Sequence, residues 1–252
     1  MFRHKGNPRT FQHNVSLAVS LSLIAGMVNV SGVLALKTLT TNVTGHFAFF
    51  AEEIVNERYS DALIFAFFIL SFLFGAFSSG LLIEISERYK FYFSYAVPMV
   101  IEVALLVIVG VWGNQPLFVH HPHFVAYILL FAMGLQNALV TQISKSTVRT
   151  THLTGLFTDL GIEISQLFFY TDKIDSTRLK QSVLLRLTII VSFFFGCIIG
   201  GFMFREIELK TVLVAACLLS LAVTLDNIRI YYYIFKRKVV SAIGKETKQT
   251  ES

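Results

Sequence analysis

The chain has 252 residues, of which 54 % are hydrophobic and only 15 % are charged. A soluble domain carries roughly 25 % charged residues, and a chain with 25 Phe and 9 Tyr is too aromatic to be intrinsically disordered. The composition therefore indicates an integral membrane protein. We attribute the net charge of +5 to membrane topology and expect no nucleic-acid partner.

Six apolar segments are each long enough to cross a bilayer as a helix, which needs about 20 residues. The predicted spans are residues 15–36, 62–83, 91–112, 124–143, 183–204 and 211–235. They divide the chain into a cytoplasmic tail (1–14), a first three-helix repeat (15–112), an outer loop (113–123), a second three-helix repeat (124–235) and a second cytoplasmic tail (236–252). With both termini in the cytoplasm, all but four of the 21 Lys and Arg lie on the cytoplasmic side, as the positive-inside rule favours.

The two halves of the chain repeat one another in sequence. The segment TTNVTG at 40–45 recurs as TTHLTG at 150–155. Residues that also recur are Gly26, Asn29, Lys37 and Gly75, which match Gly134, Asn137, Lys145 and Gly196. Because each repeat has three spans, the second copy enters the membrane from the opposite side. The sequence therefore predicts an all-α integral membrane protein with six transmembrane helices in two inverted-topology repeats, an arrangement common in secondary transporters.

An alternative arrangement counts the segment after each TT-x-x-TG motif as a further span and gives parallel four-helix repeats. Residues 45–56 are too short for a span and contain two glutamates, so we predict a short or interrupted helix after each motif. The spacings Gly75-x-x-x-Ser79 and Gly196-x-x-x-Gly200 permit close helix packing. We expect the second and fifth spans to pack against each other.

The repeated motif has the composition of a helix start. Thr44 and Thr154 are predicted N-caps, and a helix N-terminus attracts anions. Two interpretations stay open: a broken-helix site that favours anionic groups, or a simple turn at the membrane surface. Asn29 and Asn137 either join helices by hydrogen bonds or line a cavity. The candidate substrate-binding residues are Asn29, Thr41, Thr44, Gly45, His46, Gln136, Asn137, Arg149, Thr151, His152, Thr154 and Gly155.

Three carboxylates are candidates for proton or ion coupling. Glu102 lies in the middle of the third span, where an ionised side chain is costly, and no partner for it is evident in the sequence. We expect it to be protonated near pH 7. Asp159 and Glu163 share a helix face at spacing i, i+4, and a solvated cytoplasmic face is the alternative interpretation.

Metal and catalytic chemistry are not indicated. His120, His121 and His123 cluster in the outer loop without a nearby cysteine or carboxylate, so we predict no metal site. No motif of a hydrolase, nucleotide-binding loop or metalloprotease is present. We therefore expect neither an enzyme nor a cofactor.

Two segments resemble signatures of the YoaK family of small bacterial inner-membrane proteins. The second signature matches closely, as GLQNA at 134–138 followed by RTTHLTGLFTDLG at 149–161. The first departs from the family at Asn29, where relatives have Asp, and at His46, where they have Asn. The resemblance implies a bacterial six-helix protein of the cytoplasmic (inner) membrane. It implies no established substrate.

The repeat and the interrupted helices favour a small-solute secondary transporter or permease, with anions among the candidate solutes. The alternative is a membrane sensor or assembly module that transports nothing. The partners we expect are the lipid bilayer, a small molecule and, because six helices make a small transporter, a second copy of the chain.

Overall fold

The computed structural model describes residues 11–89, 95–169 and 173–225. The helices are α1 (Phe11–Leu36), α2 (Val43–Val55), α3 (Tyr59–Arg88), α4 (Ala96–Trp112), α5 (Pro116–His120), α6 (Pro122–Ile143), α7 (Leu153–Leu167), α8 (Lys173–Ile207) and α9 (residues 211–225). A single 3₁₀ turn, Glu208–Lys210, separates α8 from α9. The described residues contain no strand. Most of the predicted N-terminal tail, all of the predicted C-terminal tail and the end of the predicted span 211–235 lie outside the described residues.

Four helical segments are long and apolar enough to cross a membrane. They are Phe11–Leu36, Tyr59–Arg88, Pro122–Ile143 and Asp175–Leu225, the last of which contains both α8 and α9. The helix α4 is apolar but has only 17 residues. The helices α3 and α8 are longer than predicted, since their polar ends continue the helix beyond the apolar segment. The chain is therefore an all-helical protein of membrane character.

The helices α1 and α6 form the centre of the molecule. The helix α1 packs mainly against α8, α6 packs mainly against α3, and α1 and α6 also touch each other. Both central helices are largely buried, whereas α3 and α8 present most of their apolar surface outward. Phe67, Phe74 and Phe77 of α3 are among the exposed aromatic side chains. So large an exposed apolar surface suits a lipid environment.

Glycines allow the two main helix pairs to approach closely. A Cβ atom added at Gly26 of α1 would collide with the carbonyl oxygen of Phe193, and one at Gly196 of α8 would collide with that of Leu23. The α3–α6 crossing has the same construction, with Gly75 against the carbonyl of Phe131 and Gly134 against that of Phe72. The expected contact between α3 and α8 is wrong, because each of these helices packs against the first helix of the other repeat.

Candidate functional site

A cavity of about 590 Å³ lies between the two copies of the TT-x-x-TG motif. The candidate residues that line it are Asn29, Thr41, Thr44, Asn137, Arg149, Thr151, His152 and Thr154. The structure thus brings residues from both halves of the chain into one site. We call it the central cavity.

Each motif folds back onto the helix that precedes it. The Thr41 hydroxyl donates a hydrogen bond to Asn29 Oδ1 at 3.0 Å. In the second repeat, the Thr151 hydroxyl donates to Asn137 Oδ1 at 3.1 Å. Each asparagine therefore lines the central cavity, and its hydrogen bond holds the loop that follows its own helix rather than joining two helices.

The chain reverses at equivalent lysines. Lys37 directly follows α1 with φ +53°, and Lys145 follows α6 with φ +51°. Both values lie in the left-handed region that ends helices. A helix that stops in this way can send the following segment back along itself, which the Thr–Asn hydrogen bonds then fix.

The helices α2 and α7 begin at the wall of the central cavity. Asn42 caps α2 by accepting a hydrogen bond from the Gly45 N–H at 3.0 Å, and His152 precedes α7. The predicted caps Thr44 and Thr154 are wrong, since both lie in the first helical turn. Asn is at least as good a cap as Thr, and Asn42 lies two positions before Thr44. Both first turns line the cavity.

Positive groups predominate at this site. Unpaired N–H groups at a helix N-terminus carry a partial positive charge, and two such termini meet here. Arg149 is the one Asp, Glu, Lys or Arg among the described residues that line the cavity. Apolar contacts come from Phe72 and Phe193, which the sequence did not single out.

Four candidate residues lie outside the cavity lining. The Gly45 N–H is bonded to Asn42, and Gly155 lies against the ring of His152. His46 is buried, and its Nε2–H donates to the Leu39 carbonyl at 2.7 Å. Because Leu39 lines the cavity, His46 supports the wall from behind. Gln136 is fully buried behind the second motif.

A family model described as "Protein of unknown function (DUF1275)" matches residues 17–225. The chain belongs to this family. The match includes both motifs and every residue of the central cavity. Comparisons with curated proteins and with solved structures gave no significant match. The name YoaK therefore stays a resemblance within the DUF1275 assignment.

Glu102 of this DUF1275 chain has a partner that the sequence did not reveal. The Gln136 side chain donates from Nε2 to Glu102 Oε1 at 2.9 Å, and Gln136 Oε1 accepts from the Thr150 hydroxyl at 3.5 Å. Glu102 is fully buried, and Oε2 has no hydrogen-bond partner in the described part of the chain. A buried ionised carboxylate with a bare oxygen is costly, so the geometry suits the neutral acid. The Glu102–Gln136–Thr150 chain links α4 to the second motif.

We expect Glu102→Gln to leave stability near that of the natural protein, because an amide keeps the shape of a neutral carboxyl group. Glu102→Leu should instead lower the free energy of unfolding by about 1–3 kcal/mol, since the Gln136 amide loses its acceptor. Melting of the three proteins in detergent between pH 5 and 9 measures this. A large loss for the Gln variant at pH 7 would mean that the negative charge itself is needed.

Asp159 and Glu163 share one cationic partner. Arg186 of α8 binds Glu163 through Nε and Nη2 at 2.8 and 2.9 Å, and binds Asp159 through Nη1 at 2.8 Å. Burial raises the pKa of Glu163, but hydrogen bonds from Arg186 and Ser182 outweigh it and leave the pKa below its usual range. Glu53, the equivalent of Glu163 in the first repeat, pairs with Arg58. The geometry favours a structural ion pair between α7 and α8.

Proposed function

We propose that this chain is a secondary transporter or permease for a small anion. The observation that carries the proposal is the central cavity, to which both copies of the repeated motif contribute equivalent groups. A cavity built at the junction of two repeats, beside the starts of short helices, is the usual site of substrate binding in such transporters. The family assignment leaves the activity open, so the argument rests on geometry.

The proposal includes two inverted three-helix repeats with six spans. Three features of the fold support it: the Thr41–Asn29 and Thr151–Asn137 hydrogen bonds, the left-handed lysines, and the two glycine crossings. In this scheme α1, α3 and α4 correspond to α6, α8 and α9. The helices α2 and α7 are half-helices that start at the cavity.

The anion preference follows from the lining. Two helix N-termini and Arg149 provide positive potential, while the side-chain amide N–H groups of Asn29 and Asn137 and the hydroxyls of Thr44 and Thr154 offer neutral hydrogen bonds. Irregular backbone inside a membrane is tolerated where it lines a polar cavity. An anion that enters such a site exchanges its hydration for these fixed donors.

We place the protein in a bacterial cytoplasmic membrane with both termini inside, surrounded by lipid and paired as a homodimer. We also propose Glu102 as the proton-binding group. Its link through Gln136 to Thr150 connects α4 with a residue adjacent to Arg149 and Thr151, both of which line the cavity. Proton binding on α4 would then bias the shape of the second motif.

The test is uptake of labelled anions by proteoliposomes. Chloride, formate and phosphate would be compared with choline and glucose, with and without an inward proton gradient. We expect at least one anion to enter about tenfold faster than in protein-free liposomes, and the two control solutes to show no difference. Anion binding without uptake would favour the sensor alternative and contradict transport.

A further inference from the structure

A second cavity, of about 570 Å³, adjoins the central one. It lies where the start of α1, the loop after α6, and the helices α7 and α8 meet, and we call it the vestibule. Asn14, Thr147, Arg178 and Gln181 are among the residues that line it. Arg149 and His152 line both cavities. The two cavities therefore meet at this pair of side chains.

The vestibule carries guanidinium groups that make no ion pair within the described residues. Arg186 lines it but is occupied by Asp159 and Glu163. Arg149 and Arg178 are exposed and make no ion pair with any described residue. The one carboxylate in the lining, that of Asp159, is already paired. Two unpaired arginines with amide and hydroxyl neighbours form a positively charged recess.

We infer that the vestibule is a second anion-binding site, which takes a carboxylate or phosphate group and delivers its ligand to the central cavity past Arg149 and His152. Guanidinium binds such groups in a two-pronged geometry that suits planar oxyanions. In the predicted topology the start of α1 faces the cytoplasm, so this is the cytoplasmic access route. The delivery step rests on the proposed function, whereas binding at the vestibule does not.

A carboxylate or phosphate group can belong to a soluble anion or to a lipid head group. A cysteine introduced into the vestibule can report which of the two binds there. Thr147 is exposed and lines the vestibule but not the central cavity. In a background with Cys197→Ser and Cys217→Ser, Thr147→Cys gives a reporter whose alkylation rate measures occupancy there. Ser60→Cys, at an exposed position in the first turn of α3, provides the matched reporter away from the site.

We expect inorganic phosphate to slow alkylation of the Thr147→Cys protein in neutral-lipid nanodiscs and to leave the Ser60→Cys protein unaffected. Arg178→Gln should raise the phosphate concentration that halves the alkylation rate by at least about tenfold. Lys180→Gln, which removes one charge from an exposed residue of the same helix outside the lining, should leave it unchanged. Arg178→Lys gives a charge-retaining variant with an intermediate response.

Equal protection in the Arg178→Gln and Lys180→Gln proteins would overturn the inference. Protection by anionic lipid in the nanodisc, with none by phosphate, would overturn it as well, because the site would then hold a head group. If anion uptake is absent while Arg178-dependent protection persists, the transport proposal fails and the binding site stands.

Discussion

Replacing Gly134 with alanine is expected to lower the free energy of unfolding by about 1–3 kcal/mol. The added Cβ would collide with the carbonyl of Phe72, and a backbone atom within a helix cannot move aside as a flexible side chain can. The helices α3 and α6 must therefore separate along their whole contact. Gly26→Ala should cost a similar amount, since the carbonyl of Phe193 occupies the corresponding position between α1 and α8.

Gly161→Ala is the matched control. A Cβ at Gly161 in α7 meets nothing within 4 Å, and alanine is the better helix former by roughly 0.5–1 kcal/mol. This variant should therefore melt at a slightly higher temperature in detergent, whereas the two crossing variants melt lower. If Gly26→Ala and Gly134→Ala melt like the control, the close crossings are not a source of stability.

Local sequence identity explains why the site could be located before the fold. The motif copies at 40–45 and 150–155 carry the same threonines, so each loop folds back along the helix that precedes it. Asn29 and Asn137 lie at matching positions of those helices and accept the same hydrogen bond. The N-cap residue of α2 could not be identified from the sequence, because Asn42, Thr44 and Gly45 are all favourable near a helix start. Only the hydrogen bond from Gly45 to Asn42 distinguishes them.

The long-range partners could not be predicted in the same way. Apolar periodicity shows that a helix has a packing face but does not name the neighbour, which is why α3 was expected on α8 and lies on α6. Glu102 and Gln136 are on different helices, and their hydrogen bond depends on the α4–α6 contact. The one available signal was that Gln136 adjoins Asn137, which puts two amides inside an apolar segment. Arg186 likewise meets Asp159 only through the α7–α8 contact.

Arg149 gives the sharpest test of the anion proposal. Arg149→Gln should reduce anion uptake at least about tenfold, because the central cavity loses its one full positive charge while keeping its shape. A tenfold change corresponds to roughly 1.4 kcal/mol of interaction free energy. Arg149 is exposed and makes no ion pair with the described residues, so melting in the absence of anion should stay unchanged.

Arg149→Lys and Arg205→Gln separate the causes of that loss. The lysine variant keeps the charge but not the planar guanidinium group. It should transport chloride nearly as well as the natural protein. It should transport formate less well if the guanidinium binds a carboxylate through two hydrogen bonds. Arg205→Gln removes the same charge from an exposed position at the end of α8, outside both cavities, and should leave uptake intact. Equal uptake by the Arg149→Gln and Arg205→Gln proteins would show that the cavity charge does not act on the solute. Among the described residues that line the cavity, the positive ends of α2 and α7 would then remain as the source of anion preference.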